Sequence, residues 1–141
     1  MNRIPKDVLD MLAAVPLFSG CSRRELRQIA TLGTEVSAPD RKTLTVEGEA
    51  GLEFCLLLSG KATCLVDGKL VATFGPGDYF GEMSLLEQGP RQATVIAEGP
   101  VELLVLNSGE FNEMLDTSPS IVKKLLRSFA ARERAIASLR H

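Results

Sequence analysis

Between residues 36 and 107 the chain alternates six short, largely apolar runs with turns rich in glycine, proline and aspartate. Runs of this length, bounded by turn signals, are typical of β-strands. Strands that recur about every ten residues predict a sandwich, a jelly roll or a barrel. The predicted strands are Thr43–Val46, Phe54–Leu58, Ala62–Val66, Leu70–Phe74, Thr94–Ala97 and Val101–Leu106.

Five turn signals separate these strands, and two of them are residues 48–51 and 75–78. Asp67-Gly68 predicts a two-residue hairpin, because glycine readily adopts the positive φ of a type I′ turn. Ser59-Gly60 and the Glu-Gly-Pro sequence at 98–100 are expected to separate neighbouring strands as well. The sequence therefore predicts a roll of many short strands.

Helical periodicity precedes the β region. Apolar residues recur at helical spacing in Lys6–Val15 and again in Arg23–Leu32. Ser22, with Glu25 three residues later, has the pattern of a capping box at the start of the second helix.

Helical signals also follow the β region. Glu110–Leu115 predicts a short helix. Ser118 followed by Pro119 predicts the start of a last helix that runs to about Leu139. We expect one domain over residues 1–141, with N-terminal helices in 1–35, the β roll in 36–107 and C-terminal helices in 108–141.

Composition argues against several classes of partner. A formal net charge of −2, with six Phe and one Tyr, favours neither attraction to nucleic acid nor a base-stacking surface. No apolar run approaches the ~18 residues of a membrane span. Asp7 and Asp10 interrupt the apolar N-terminal stretch, so no signal peptide is predicted.

The three cysteines, Cys21, Cys55 and Cys64, form an odd set without an export signal. That combination favours a reducing compartment, and we expect a cytoplasmic protein. If Ser59-Gly60 formed a tight hairpin, Cys55 and Cys64 would face each other. We interpret both instead as small apolar residues of a β core.

One segment, residues 80–95, interrupts the β pattern. Gly81 stands where a strand should end, and Glu82–Glu87 suits one or two helical turns. A Gly89-Pro90 break follows, and Arg91 precedes the next strand. Such a segment places an isolated helical turn between two strands of the roll.

The residue types in this segment fit an anionic sugar ligand. A helix that opens after a glycine presents backbone N–H groups to an anion. Arg91 can add a charge-assisted pair to the same anion, and Glu82 can accept from a sugar hydroxyl. Taken singly, Arg91 could be a surface residue, Glu82 a helix-start acid and Gly81 a turn residue. Their joint spacing favours a ribose-phosphate site.

The segment resembles the phosphate-binding cassette of the cyclic-nucleotide-binding domain family. That family includes the bacterial cAMP receptor protein, protein kinase A regulatory subunits and cyclic-nucleotide-gated channels. The resemblance extends to residues 17–20, Gly48, Ser59-Gly60 and Gly77-Asp78, and so spans most of the chain. The cassette residues that match are Phe80-Gly81-Glu82, Ser84-Leu85, Pro90-Arg91 and Ala93-Thr94-Val95.

The resemblance implies how the phosphate would be held. Arg91 would pair with the cyclic phosphate. Backbone N–H groups in the turn that contains Met83 and Ser84, and near Gln92, would complete its cradle. The implied fold is mainly β, a jelly roll with N-terminal helices, a short cassette helix and a C-terminal lid helix.

The resemblance also implies how the sugar and base would be recognised. Glu82 would accept from the ribose 2′-hydroxyl, and Gly81 would let the backbone approach the ligand. At the position of Gln92, cAMP-selective members often have Ala and cGMP-selective members often have Thr. Gln92 is neither, so we take cAMP as the ligand and leave cGMP open.

The last predicted helix combines an apolar face with many basic residues. Residues 119–141 carry six Lys and Arg against one acid, Glu133. We interpret the basic side as a solvated face rather than a nucleic-acid or membrane patch. The apolar face consists of Ile121, Val122, Leu125, Leu126, Phe129, Ile136 and Leu139.

Packing on the roll is the simplest use of that apolar face. By resemblance, the helix would also act as a hinged lid over the base, or join two subunits into a homo-oligomer. Arg132 and Ile136 are the expected lid residues, because they lie far enough along the helix to fold back on the pocket.

An enzyme is the rival class. A metalloenzyme on a β roll needs several converging His or carboxylate ligands, and the sole histidine is His141. Catalysis by a cysteine needs a paired base, and none is placed for it. A zinc site from the three cysteines and His141 lacks a chelating Cys-x-x-Cys pair. We therefore predict no enzymatic activity, no metal and no cofactor.

A DNA-binding regulator is a second rival, because the cAMP receptor family couples this roll to a helix-turn-helix. No length remains for one after His141. We therefore expect a non-catalytic sensor that signals to an effector protein of unknown identity. The alternatives are a regulatory fragment of a larger channel, enzyme or transcription factor, and a β-roll scaffold with an unoccupied pocket.

Overall fold

The computed structural model describes the backbone of residues 6–87 and 89–139, and the side chains of residues 8–82, 84–86 and 89–131. Helices flank an antiparallel sheet, which confirms the predicted mainly β fold with flanking helices. The elements are α1 (Lys6–Ala13), a 3₁₀ turn (Pro16–Phe18), α2 (Arg23–Leu32), β1 (Thr34–Ala38), β2 (Thr43–Thr45), β3 (Glu53–Val66), β4 (Lys69–Phe74), β5 (Tyr79–Phe80), α3 (Glu82–Glu87), β6 (Thr94–Asn107), α4 (Ser108–Thr117) and α5 (Pro119–Leu139).

Two long strands, β3 and β6, form the centre of the sheet. The strand order is β1-β6-β3-β4, with β2 added to β6 and β5 added to β3, and every pairing is antiparallel. The β3–β6 register runs from Glu53 opposite Asn107 to Leu65 opposite Thr94. This pair carries the cassette, because β5 pairs with β3 and α3 lies between β5 and β6.

Two of the predicted turns lie inside strands, which corrects the expected strand count. The chain continues through Ser59-Gly60 within β3 and through residues 98–100 within β6, each strand being 14 residues long. The pairings of Ser59 with Glu102 and of Lys61 with Glu98 enclose an irregularity, in which residues 99–101 of β6 lie opposite the single residue Gly60 of β3. Gly60 adopts a φ of +90°, and a Cβ there would collide with the Pro100 carbonyl. Gly60 therefore allows the paired strands β3 and β6 to bend together, and it does not end β3.

Other turn and capping signals behave as predicted. Asp67 and Gly68 have φ values of 52° and 74°, as a type I′ turn requires. Ser22 and Glu25 form the expected capping box at α2. A second, unpredicted capping box joins Asn107 to Glu110, so α4 begins earlier than expected, at Ser108.

The sheet is buried on both sides by two hydrophobic clusters. Along β3, Phe54, Leu56 and Leu58 face the helices, while Cys55 and Leu57 face the interior of the roll. This alternation explains why β3 begins with a continuous apolar run. Cys55 and Cys64 both lie on β3 in the second cluster, which agrees with their interpretation as core residues.

Candidate functional site

A cavity of about 480 Å³ opens beside the cassette. Five of the predicted site residues reach it, whereas the side chain of Met83 lies outside the described residues. The cavity is lined by Thr45, Cys64, Val66, Ala72, Phe74, Tyr79, Phe80, Gly81, Glu82, Ser84, Arg91, Gln92, Ala93 and Val95.

The cassette begins with a sharp change of backbone direction at Gly81. Gly81 has a φ of +94°, and a Cβ at that position would collide with Arg91 Nη1 and the Glu53 carbonyl oxygen. Only glycine combines this φ with such a close approach at low cost. The next residue, Glu82, begins α3, which has the predicted bounds Glu82–Glu87.

Arg91 is buried beneath the cavity, with 9% of its surface exposed. Its Nη2 donates to the Glu53 carbonyl oxygen over 2.8 Å. Its Nη1 is buried and has no hydrogen-bond acceptor among the described residues. A buried guanidinium group with an unused donor favours an anionic oxygen at this position.

The start of α3 adds two more buried polar residues. Glu82 and Ser84 are only 3% and 4% exposed, although both reach the cavity. Ser84 Oγ donates to the Pro90 carbonyl oxygen over 3.2 Å and ties α3 to the segment before Arg91. Gln92, by contrast, is exposed at the cavity wall.

The connection between β2 and β3, residues 46–52, fixes the main chain of Arg91. Arg91 N donates to the Glu49 carbonyl oxygen over 2.7 Å, and Gly48 N donates to the Arg91 carbonyl oxygen over 2.8 Å. We call residues 46–52 the β2–β3 turn. In the sequence, Gly48 is part of the family resemblance, but nothing there reveals that this turn contacts the cassette.

The remaining wall of the cavity is apolar. Val66 and Ala72 come from the β3–β4 hairpin, and Val95 comes from β6. Phe74 stacks on Phe80 with ring centroids 5.5 Å apart. Such a wall suits the flat, apolar face of a base. The prediction from sequence did not include these residues, because their apolar character fits a core equally well.

Cys55 lies in the interior cluster close to the cassette, paired in register with Phe80. Burial raises the pKa of its thiol to about 12, although the positive charge of Arg91 opposes this shift. The thiol is therefore neutral at physiological pH and contributes packing rather than charge.

The N-terminal half of α5 belongs to the core. Ile121 and Leu125 are buried in the helix-facing cluster, whereas Leu126 is 61% exposed. No described side chain of α5 lines the cavity. The proposed lid side chains, Arg132 and Ile136, lie outside the described residues.

Two negative findings concern metal ions and membranes. Over the residues that the structure describes, no cluster of three or more His, Cys, Asp or Glu is arranged to hold a metal ion. Within the same residues, no helix is both long enough and apolar enough to cross a membrane.

Comparison with known proteins identifies the family. Residues 35–118 match the cyclic nucleotide-binding domain family, and the chain belongs to it. A cAMP-dependent protein kinase regulatory subunit of Yarrowia lipolytica is 39% identical over 107 residues, which cover 74% of this chain and 28% of that relative. The chain thus spans little more than a quarter of the relative's length.

Solved structures share the fold. One described as cAMP-bound PfPKA-R (141–441) superposes with a TM-score of 0.85 at 30% identity, covering 95% of this chain and 46% of that chain. The regulatory subunit of a cAMP-independent protein kinase A from Trypanosoma brucei has a TM-score of 0.79 at 25% identity, covering 87% and 44%. Because the kinase to which the second protein belongs is described as cAMP-independent, the fold alone does not define the ligand.

Proposed function

We propose that this chain binds cAMP in the 480 Å³ cavity and acts as a regulatory module without catalytic activity. The observation that carries the proposal is Arg91. Its guanidinium group is buried at the cavity, and Nη1 has no acceptor among the described residues. A cyclic phosphate supplies the charge and the acceptor that this donor lacks.

The other cassette residues take complementary parts in the proposed complex. Backbone N–H groups around Met83, Ser84 and Gln92 complete the cradle of the phosphate. Glu82 accepts the ribose 2′-hydroxyl, and Gly81 permits the close approach of main chain and ligand. The apolar wall from β3, β4 and β6 then receives the purine.

The proposed preference for cAMP over cGMP rests on the relatives rather than on a residue. The Yarrowia lipolytica relative and PfPKA-R are both described by their connection with cAMP. Gln92 has an amide that offers both a donor and an acceptor, so it is compatible with either purine. Parallel titrations with the two nucleotides separate these ligands.

The proposed output is a change in α5 that a partner protein reads. In this scheme α5 closes over the base through Arg132 or Ile136, and the exposed Leu126 contacts an effector or a second copy of the chain. A ligand moves the helix only by binding the closed state better than the open state. A kinase catalytic subunit is the kind of effector that the named relatives suggest.

The proposed module works in the cytoplasm and catalyses no reaction. Its three cysteines are present as thiols, which suits a reducing compartment. The relatives named above are regulatory subunits, which supports a regulatory rather than a catalytic role. The same role would apply if the chain were the regulatory part of a larger channel, enzyme or transcription factor.

A thermal melting series tests the proposal against a scaffold with an unoccupied pocket. Saturating cAMP should raise Tm, and the shift should grow with ligand concentration, because only the folded state binds. AMP, which lacks the cyclic phosphate, serves as the matched control. An unchanged Tm at millimolar cAMP and cGMP would favour the scaffold with an unoccupied pocket and contradict the proposal.

A further inference from the structure

Gly51, in the β2–β3 turn, is packed directly against the cassette. A Cβ at residue 51 would overlap the Cβ of Ser84 and would lie 2.6 Å from Ser84 Oγ and 3.0 Å from Arg91 Cδ. Its φ is outside the left-handed region, so the glycine is required by space and not by backbone conformation. The side chain of Ser84 thus occupies the volume that a side chain at residue 51 would need.

The turn that carries Gly51, together with Glu53 at the start of β3, holds Arg91 at both ends. The main chain of Arg91 exchanges two hydrogen bonds with Gly48 and Glu49, and the guanidinium group donates to the carbonyl oxygen of Glu53. An isolated bridge pairs Ala50 with Pro90. A displacement of the turn therefore moves the arginine backbone and its guanidinium group together.

We propose that Gly51 is a positioning residue for the anion site. By leaving its side-chain volume to Ser84, it keeps the β2–β3 turn close to the cassette and sets Arg91 relative to the first turn of α3. Gly51 acts on the ligand through Arg91 and Ser84 and has no ligand contact of its own. The inference rests on the proposed function in that the anion is taken to be the cyclic phosphate.

The crowding between residues 51 and 84 makes the proposal specific. Gly51→Ala adds a methyl group where Ser84 already lies, and overpacked sites respond by backbone shifts. Ser84→Gly removes the obstructing side chain, so the double variant should accommodate the added methyl group. Ser84→Gly also loses the hydrogen bond to Pro90 and therefore has an effect of its own.

A double-mutant cycle measures this coupling in cAMP affinity. Gly51→Ala should weaken cAMP binding by about tenfold or more, and adding Ser84→Gly should recover most of that loss. Gly75→Ala is the matched control, because a Cβ at Gly75 meets no atom within 4 Å and its φ is not positive. That variant should bind cAMP as the unmodified chain does.

A second cycle distinguishes positioning from a general loss of stability. In an Arg91→Ala background, Gly51→Ala should cost much less cAMP affinity than it does in the unmodified chain, since one of the two groups through which it acts is gone. An equal loss of affinity with and without Arg91 would overturn the proposal. Additive effects of Gly51→Ala and Ser84→Gly would overturn it as well.

Amide hydrogen exchange tests the placement without any ligand. The amides of Gly48 and Arg91 should exchange faster in Gly51→Ala than in the unmodified chain, and the double variant should restore their protection. Unchanged protection of both amides in Gly51→Ala would contradict the proposal. If the unmodified chain fails to bind cAMP, the proposed function fails, and the exchange data still decide the role of Gly51.

Discussion

At the scale of single residues, Arg91 is the group whose environment is least explained without a ligand. It is nearly buried, one of its terminal nitrogens donates to a carbonyl oxygen, and the other has no acceptor among the described residues. A carbonyl does not neutralise a guanidinium charge, so burial of this side chain costs stability until an anion binds.

Arg91→Ala should therefore weaken cAMP binding by about 2–5 kcal/mol, the range for truncating one side of a buried charge pair. The stability of the ligand-free protein should change little or rise, because an incompletely paired buried charge is removed. Calorimetry and urea unfolding measure the two quantities on the same preparation. An unchanged Kd would show that Arg91 does not bind the phosphate.

Glu82 makes a separate prediction about the sugar. Glu82→Gln retains an acceptor and loses the charge, so cAMP binding should weaken by about 1–2 kcal/mol, as for hydrogen bonds to charged groups. The unmodified chain should prefer cAMP over 2′-deoxy-cAMP, and the variant should lose part of that preference. Equal affinity of the unmodified chain for both nucleotides would refute the role assigned to Glu82.

Cys55 predicts a pH dependence of stability that has no connection with the ligand. Its thiol pKa is raised by burial from 9.0 to about 12, so the folded state retains this proton to higher pH than the unfolded state. The contribution is complete below pH 9 and is lost as the pH rises toward 12. Between pH 8 and pH 10, the free energy of unfolding measured in urea should fall less for Cys55→Ala than for the unmodified chain. Equal losses would mean that the thiol is not protected from ionisation.

Which site residues could be predicted from sequence depended on what marks them. Glu82 and Arg91 are charged residues at fixed spacing within an apolar roll, so their pattern can be recognised in the sequence alone. Gly51 matters because it lacks a side chain beside Ser84, a contact between residues that are distant in sequence. The apolar wall residues could not be distinguished from core residues, because their apolar character fits a core equally well.

At the scale of elements, local signals predicted helix boundaries better than strand boundaries. Capping by Ser22 and the Pro119 start predicted α2 and α5 with their observed bounds. The bends at Gly60 and near Pro100 were predicted as turns, because a glycine signal does not reveal whether the strand continues beyond it. β1 was missed because four of its five residues are exposed and it lacks an apolar run.

The proposed switch is a property of α5, and its two halves are expected to respond differently to cAMP. Ile121 and Leu125 are buried in the core, so the first turns should be protected from hydrogen exchange with or without ligand. Residues 132–139 should gain protection when cAMP binds, if they close over the base. Hydrogen exchange of α5 with and without cAMP measures both halves.

A truncation completes the test of the lid. Deletion after Ala131 preserves the buried residues Ile121 and Leu125 of α5 and should weaken cAMP binding while leaving the loss caused by Arg91→Ala unchanged. Deletion after Ser118 would remove core residues and is unsuitable. Equal hydrogen exchange in both states, together with unchanged affinity after truncation at Ala131, would make α5 a scaffold or a docking surface.

At the scale of the whole molecule, the fold joins the cassette to both hydrophobic clusters through one strand. β3 supplies Glu53, whose carbonyl holds Arg91, and then alternates side chains into the helix-facing and interior clusters. Tyr79 at the cavity contacts Phe54, which in turn contacts Phe111 on α4. These contacts give the proposed nucleotide site a continuous packed connection to α4.

The central claim is that this cavity is a cAMP site, and a calorimetric titration tests it most directly. Titration with cAMP should show saturable binding with one nucleotide per chain, and a parallel titration with cGMP should show weaker binding. The same titration of the Arg91→Ala variant should show the loss stated above. Absence of binding of either nucleotide at millimolar concentration, in protein that melts cooperatively, would contradict the account.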